Sequence, residues 1–146
     1  MYRTKTATRI LSVLAALLLL LTSLTACSGG VTREEAETAS EALFAALSAR
    51  DYEEAAAMFH PDTDTTEGIL EAYCEGLASE RGIDLSQGAT IERYTGMSSS
   101  FYDSNVGGSR YELTMKVKVG ETTATFRVEV VRNDNGFGIA NLHCDS

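Results

Sequence analysis

Between residues 111 and 130 the chain alternates apolar and polar side chains through two matched runs. Tyr111, Leu113, Met115, Val117 and Val119 interleave with Glu112, Thr114, Lys116 and Lys118; Ala124, Phe126, Val128 and Val130 interleave with Thr125, Arg127 and Glu129. A period of two does not suit a helix that buries one stripe, so both runs read as strands with one wet face. Gly120-Glu121 lies between them, and a two-residue type II′ turn wants glycine first. That turn places Val117 opposite Ala124, Met115 opposite Phe126, Leu113 opposite Val128 and Tyr111 opposite Val130, an apolar pair each time. A slip of one residue would send every one of them to the other face, so turn and pattern specify the same register. The hairpin leaves an apolar face that the rest of the chain must cover.

The cover is written upstream, at helical period. Thr32-Arg33-Glu34-Glu35 is a capping box with Thr as N-cap and Glu at N3. It opens a helix predicted to run to about Ala49, with Ala36, Ala39, Leu43, Ala46 and Leu47 on one stripe and Phe44 beside it. Asp51-Tyr52-Glu53-Glu54 repeats the capping logic for a shorter helix, which His60-Pro61 ends because the residue before proline is pushed out of helical conformation. His60 there reads as a cation at a helix C-terminus. A third helix carries Ile69, Leu70, Tyr73, Cys74 and Leu77 and stops at Gly82. Gly68 and Gly76 weaken it and suit a close approach to a sheet. From Ala89 the period returns to two: Ala89–Met97 reads as a strand and residues 98–109 as a Ser- and Gly-rich loop or irregular edge. Asn133-Asp134-Asn135-Gly136 makes a second turn before a last strand from Phe137 to about Cys144. Its register is open. In one, Ile139 faces Val130 and Asn141 and His143 join the apolar face; shifted by one, Ala140, Leu142 and Cys144 join it instead.

These elements predict the α+β class: three N-terminal helices packed on a curved antiparallel sheet of about four strands. The run Leu43 to Ala56, with Ala49-Arg50-Asp51-Tyr52 at its centre, resembles the opening of nuclear-transport-factor-2-like domains. Asn135-Gly136-Phe137-Gly138-Ile139 resembles their closing strand, with Phe137 where many members have tryptophan. The resemblance covers roughly residues 32–143. It implies a sheet wrapped round helices as a cone with an apolar pocket, a shape that hosts enzymes, binding modules and interaction domains alike, so it implies no particular activity. The same opening resembles the non-catalytic N-terminal domain of certain penicillin-binding proteins, but no transpeptidase domain follows.

The N-terminus speaks about place. Arg3, Lys5 and Arg9 precede an apolar run from Ile10 to Leu21, then Thr22-Ser23 and Leu24-Thr25-Ala26-Cys27. A basic start, a short apolar run and small residues make a secretory signal, and the run is shorter than the ~20 apolar residues a membrane span needs. The segment resembles a bacterial lipoprotein signal with its lipobox. That implies cleavage after Ala26 and acylation of Cys27, and two or more acyl chains make a stable anchor. The expected organisation is a signal over 1–26, a lipidated Cys27 with a short flexible tether over 27–31, and one domain over 32–146 on the extracytoplasmic face of the cell membrane. The three basic residues of the signal leave with it, so the net charge goes from −9 to −12. Residues 27–84 hold 14 acidic and 3 basic side chains. A surface so acidic argues against nucleic acid, which needs a basic footprint, and the anionic helices are expected to face away from the lipid.

Two cysteines remain, Cys74 and Cys144. In an oxidising compartment they either close a disulfide around a loop of about 70 residues, worth about 4 kcal/mol in the chain-entropy model, or stay as separate buried thiols. There is no Cys-x-x-Cys, His-Glu-x-x-His, phosphate loop or Gly-x-Ser-x-Gly, so no metal, cofactor or catalytic set is expected. Asp62, Asp64 and Glu67 lack the turn glycine and the oxygen spacing of a calcium loop. The pocket of the cone is expected to draw on Tyr52, Tyr73, Tyr111, Phe126, Asn141 and His143. The reading that follows is a non-enzymatic, membrane-anchored lipoprotein binding an envelope protein or a small ligand; the alternative is a small pocket enzyme acting on an apolar substrate.

Overall fold

A computed structural model describes residues 29–101 and 106–145; the signal, Cys27 and Ser28 lie outside the described residues. Three helices come first: α1 (Arg33–Ser48), α2 (Tyr52–Ala57) and α3 (Glu67–Arg81). A 3₁₀ turn over Leu85–Gln87 leads into four strands, β1 (Ala89–Phe101), β2 (Ser109–Val119), β3 (Thr122–Asn133) and β4 (Gly136–Cys144). The strands form one antiparallel sheet in the order β1-β2-β3-β4. This is the α+β arrangement expected, with all three helices preceding the sheet.

Local chemistry sets the helix ends. Thr32 caps α1 through a complete capping box: the Glu35 amide donates to Thr32 Oγ1 at 3.2 Å, and the Thr32 amide donates to Glu35 Oε2 at 2.9 Å. Asp51 caps α2 by accepting the Glu54 amide, and Thr66 caps α3 by accepting the Ile69 amide. At the end of α1 the Arg50 amide donates to Leu47 O and the Asp51 amide to Ala46 O, the paired bonds of a Schellman motif. Arg50 therefore sits at φ 56, where glycine is usual. Gly82 closes α3 at φ 66, as its position predicted.

The β2–β3 register is the one the turn imposes, with Val117↔Ala124, Met115↔Phe126, Leu113↔Val128 and Tyr111↔Val130. Gly120 has φ 58 and Glu121 is not left-handed, the sign pattern of type II′. The outer strands resolve two alternatives left open. β1 runs on through Ser98-Ser99-Ser100 to Phe101, pairing with Glu112 to Ser109, so this segment is the edge strand and not the loop. Backbone pairing needs no apolar side chains, and as an edge strand this segment has no second neighbour to satisfy. β4 takes parts of both registers left open. Ile139 pairs with Val130, then a bulge shifts the ladder so that Leu142 pairs with Val128 and Cys144 with Phe126. One extra residue lets the apolar side chains before and after it share a face.

The core lies between the helices and one face of the sheet. Leu43, Phe44, Leu47, Leu113, Met115, Val117, Phe126, Val128, Val130 and Ile139 are 0–1% exposed. On the other face Lys116 Nζ donates to Thr125 Oγ1, and Arg110 bridges Glu112 and Glu129, which sit opposite one another. In α3, Leu70, Cys74 and Leu77 are buried while Ile69 is 53% exposed, so the stripe is narrower than its spacing predicts. A Cβ on Gly76 would meet nothing within 4 Å, and one on Gly68 only the Thr66 hydroxyl, so neither glycine serves a close approach to the sheet.

Candidate functional site

Of the six residues expected to line one pocket, Phe126 belongs to the core that Tyr52, Tyr73 and Tyr111 pack against, while Asn141 and His143 lie outside it. Phe126 is core: its ring meets Phe44 edge-on, centroids 5.1 Å apart at 77°. Tyr111 is half-buried and its hydroxyl points at Met97 Sδ, 3.5 Å away. Asn141 and His143 are exposed, because the β4 bulge gives the inner face to Leu142 and Cys144 instead. His143 Nε2 lies 3.4 Å from Asp145, whose carboxylate also receives two Arg127 donors at 2.8 and 3.0 Å. Tyr73 is half-buried with its hydroxyl against the Cys144 backbone without a well-formed hydrogen bond; burial pushes its pKa far above the ordinary value. Phe44, Phe126, Leu113 and Met115 are buried together in one core cluster.

Cys74 and Cys144 are free thiols, both buried. No bridge joins them. Burial foremost, with the Asp84 charge adding to it, pushes the Cys74 thiol up to about 11. Burial also raises Cys144, against the opposing pull of Arg81. Arg81 reaches over this strand end and donates to Cys144 O at 2.9 Å and Asp145 O at 2.5 Å, fixing the last turn of α3 to β4.

A surface recess opens where α1 hands over to α2. Arg50, Tyr52, Glu71, Cys74, Glu75, Asp84 and Ser86 line it over a floor of Leu47, Ala78 and Leu85, in a cleft of about 150 Å³. Arg50 Nη2 donates to Ser86 Oγ at 3.2 Å, and Ser86 is held in turn by Asp84. The two Ser86 hydrogen bonds come first in holding the Asp84 carboxyl below its ordinary range; the Arg50 charge acts the same way, against partial desolvation. Burial raises the Tyr52 phenol. The cleft holds one cation among three carboxylates, and the Ser86 hydroxyl donates to Asp84 Oδ1 at 2.6 Å. Among the described residues no group of three or more His, Cys, Asp or Glu is placed to hold a metal.

Two features were invisible in the sequence. His60 is not a solvated cation at a helix end; it is 1% exposed. Its Nδ1 accepts the Asp62 amide at 3.0 Å, so Nε2 carries the proton and donates to Gly136 O at 3.1 Å. The backbone joins in, His60 N to Ile139 O at 2.8 Å and Ile139 N to Met58 O at 2.9 Å, with a parallel bridge between Phe59 and Ile139. The proline stop is thus also the latch that fastens α2 to β4. The second feature is Arg132. It donates to both oxygens of Glu35, at 2.7 and 3.2 Å, and to the carbonyls of Gly30 and Gly29, at 3.2 and 3.5 Å. The Val31 amide donates to Ser109 Oγ at 2.9 Å, and Val31 is buried. Residues 29–31, expected to be flexible tether, are held against the sheet. The first turn of α1, with Glu34 and Glu35, lies at this same end.

No protein-family model matches the chain, and no curated protein matches it. Among solved structures it is similar to an NTF2-like protein with a cystatin-like fold from Novosphingobium aromaticivorans, at 15% identity and a TM-score of 0.46 over 90% of this chain and 86% of that one. It is also similar to a de novo designed protein with a curved β-sheet, at 18% identity and a TM-score of 0.44 over 77% of this chain and all of that one.

Proposed function

We propose that the protein is a lipid-anchored, extracytoplasmic module of nuclear-transport-factor-2-like type that binds an envelope partner or a small polar ligand through its surface and catalyses nothing. The carrying observation is the filled interior: Leu43, Phe44, Leu113, Met115 and Phe126 are at most 1% exposed, and the Phe44 and Phe126 rings meet edge-on at 5.1 Å. Pockets for apolar small molecules are usually about 300–1,000 Å³ and mostly hydrophobic. The cleft at Arg50, about 150 Å³ and lined by charges, suits a polar side chain or a small ion better than an apolar substrate. The family reading draws support from the Arg50-Asp51-Tyr52 opening and the Gly136-to-Ile139 closing strand. The anchor rests on the Leu24-to-Cys27 motif and the physics of multiple acyl chains.

Two measurements test this reading. Cys27→Ala should remove the acyl mass and release the protein from the membrane fraction; unchanged retention would refute the anchor. A panel of apolar ligands followed by amide and methyl chemical shifts should leave the Phe44 and Phe126 region unmoved. Saturable shifts there would open the interior again and restore the pocket-enzyme alternative.

A further inference from the structure

We infer that the anchored domain stands in one orientation, with the β3–β4 turn end of the sheet on the lipid headgroups and the Arg50 cleft facing away from the membrane. This rests on the acylation of Cys27 proposed above and adds what only the fold supplies.

The chain is fastened from Gly29 onward. Arg132 holds the carbonyls of Gly29 and Gly30, Ser109 holds the Val31 amide, and Val31 itself is buried. Only Ser28 separates Gly29 from Cys27, and two residues of extended chain span at most about 7 Å. Ser109 and Arg132 are partners at one end of the β2–β3 ladder. The lipid must therefore lie beside that end. The same end carries the Asn133–Gly136 turn and Phe137, which is 37% exposed with the Arg132 guanidinium 4.8 Å over its ring. An aromatic ring with a polar or cationic neighbour is the chemistry that settles at headgroup level. Asp62 and Asp134 are here too, so charge does not draw this surface to anionic lipid. Asp62 is tied up by Asn133 and Asn135. The acyl chains supply the hold, and the clamp at Arg132 supplies the direction.

The other end of the sheet is a full strand away. β2 has 11 residues, about 35 Å at a strand's rise per residue. Its far end is the Gly120-Glu121 turn. Ala89 pairs there with Val119 and donates to Ser48 Oγ, which places the C-terminus of α1, and with it Arg50, at that end. A partner engaging the cleft would approach from the aqueous side.

The chain contains no tryptophan, so one introduced residue is a unique emitter. Phe137→Trp and Glu121→Trp, each in the full lipidated protein, are to be reconstituted into phosphatidylcholine vesicles with and without a headgroup-nitroxide lipid. Phe137→Trp should lose most of its emission to the nitroxide and Glu121→Trp should keep it. Asp134→Trp, on the exposed turn, serves if Phe137→Trp fails to fold. The acyl mass of the N-terminal peptide is read on the same samples. Absent acylation would defeat the anchor reading itself. Acylated protein with equal quenching at both positions would leave the anchor standing and overturn the orientation. Inserting about ten Gly/Ser residues between Ser28 and Gly29 should abolish the difference between the two sites; a difference that survives would show that Arg132 and the short tether do not set the direction.

Discussion

Arg132 is where a single side chain governs most. It closes the capping box from outside, because Glu35 accepts both from the Thr32 amide and from the guanidinium. Burial disfavours the Glu35 carboxylate, but hydrogen bonds from Arg132 and Thr32 and the Arg132 charge outweigh it and hold the carboxyl below its ordinary 4.5. A depressed carboxyl contributes stability that is complete above its unfolded pKa and is lost as pH falls through its folded one. Arg132→Met should thus cost about 1 kcal/mol in urea unfolding at neutral pH, the scale of a good partly buried pair, with the gap closing on acidification below pH 4.5. A gap independent of pH would mean that the guanidinium acts by packing alone. His60 acts through shape and the hydrogen bonds of its ring. His60→Ala leaves the Asp62 amide and the Gly136 carbonyl without their ring partner and should cost about 2–3 kcal/mol by thermal or urea unfolding. Gly138 is its counterpart: a Cβ there would lie 2.6 Å from the His60 amide nitrogen, against backbone that has no rotamer to change. Gly138→Ala should destabilise by a comparable ~1–3 kcal/mol, and a neutral result would show that the α2–β4 latch can spread.

Among the elements, the helices are bounded by caps that can be read one at a time, and the handover from α1 to α2 is where capping and surface chemistry compete. The Schellman motif wants glycine at Arg50, since a side-chain-bearing residue in left-handed conformation costs about 1 kcal/mol. Arg50→Gly removes that cost and also the exposed bond to Ser86, worth little in water. The variant should melt at or above the parent while the cleft loses its cation. Clear destabilisation would instead make Arg50 a structural tie between α1 and the 3₁₀ turn. The hairpin β2–β3 was legible to the residue, because a two-residue turn and a strict period of two are both local. The Ser-rich end of β1 was not, because its pairing is made by backbone and leaves no trace in side-chain pattern. The β4 bulge was legible only as two competing registers; its resolution depended on His60, Phe59 and Ile139 meeting across about 80 residues of chain.

For the whole molecule, the thiols report on packing. Among the described residues there are two, Cys74 and Cys144, both buried and both with raised pKa, Cys74 to about 11. An aromatic disulfide reagent at pH 8 should find neither in the native protein and both in denaturant. Rapid native reaction of one thiol would expose a local opening at α3 or the end of β4. Among the described residues the helices and one face of the sheet bury a single apolar core between them. Its two ends differ: one carries the fastened N-terminal segment, the turn and Phe137, the other the cleft with Arg50. Among the described residues no helix is long and apolar enough to cross a membrane.

By itself the sequence determined what depends on neighbours a few residues apart: the caps at Thr32 and Asp51, the stop at Gly82, the Gly120 turn and the register it imposes, and hence the α+β order. These follow from local geometry and from periodicity, which a linear string carries in full. Tertiary structure alone decided what depends on side chains far apart in the chain. It packed Tyr52, Tyr73 and Tyr111 against the core that holds Phe126, turned Asn141 and His143 outward, kept Cys74 and Cys144 as separate thiols, buried His60 under the last turn, and tied Gly29 and Gly30 to Arg132. Long polar side chains such as Arg132 and His60 look alike in sequence whether they are solvated or bonded. Only the fold sets which backbone carbonyls lie within their reach.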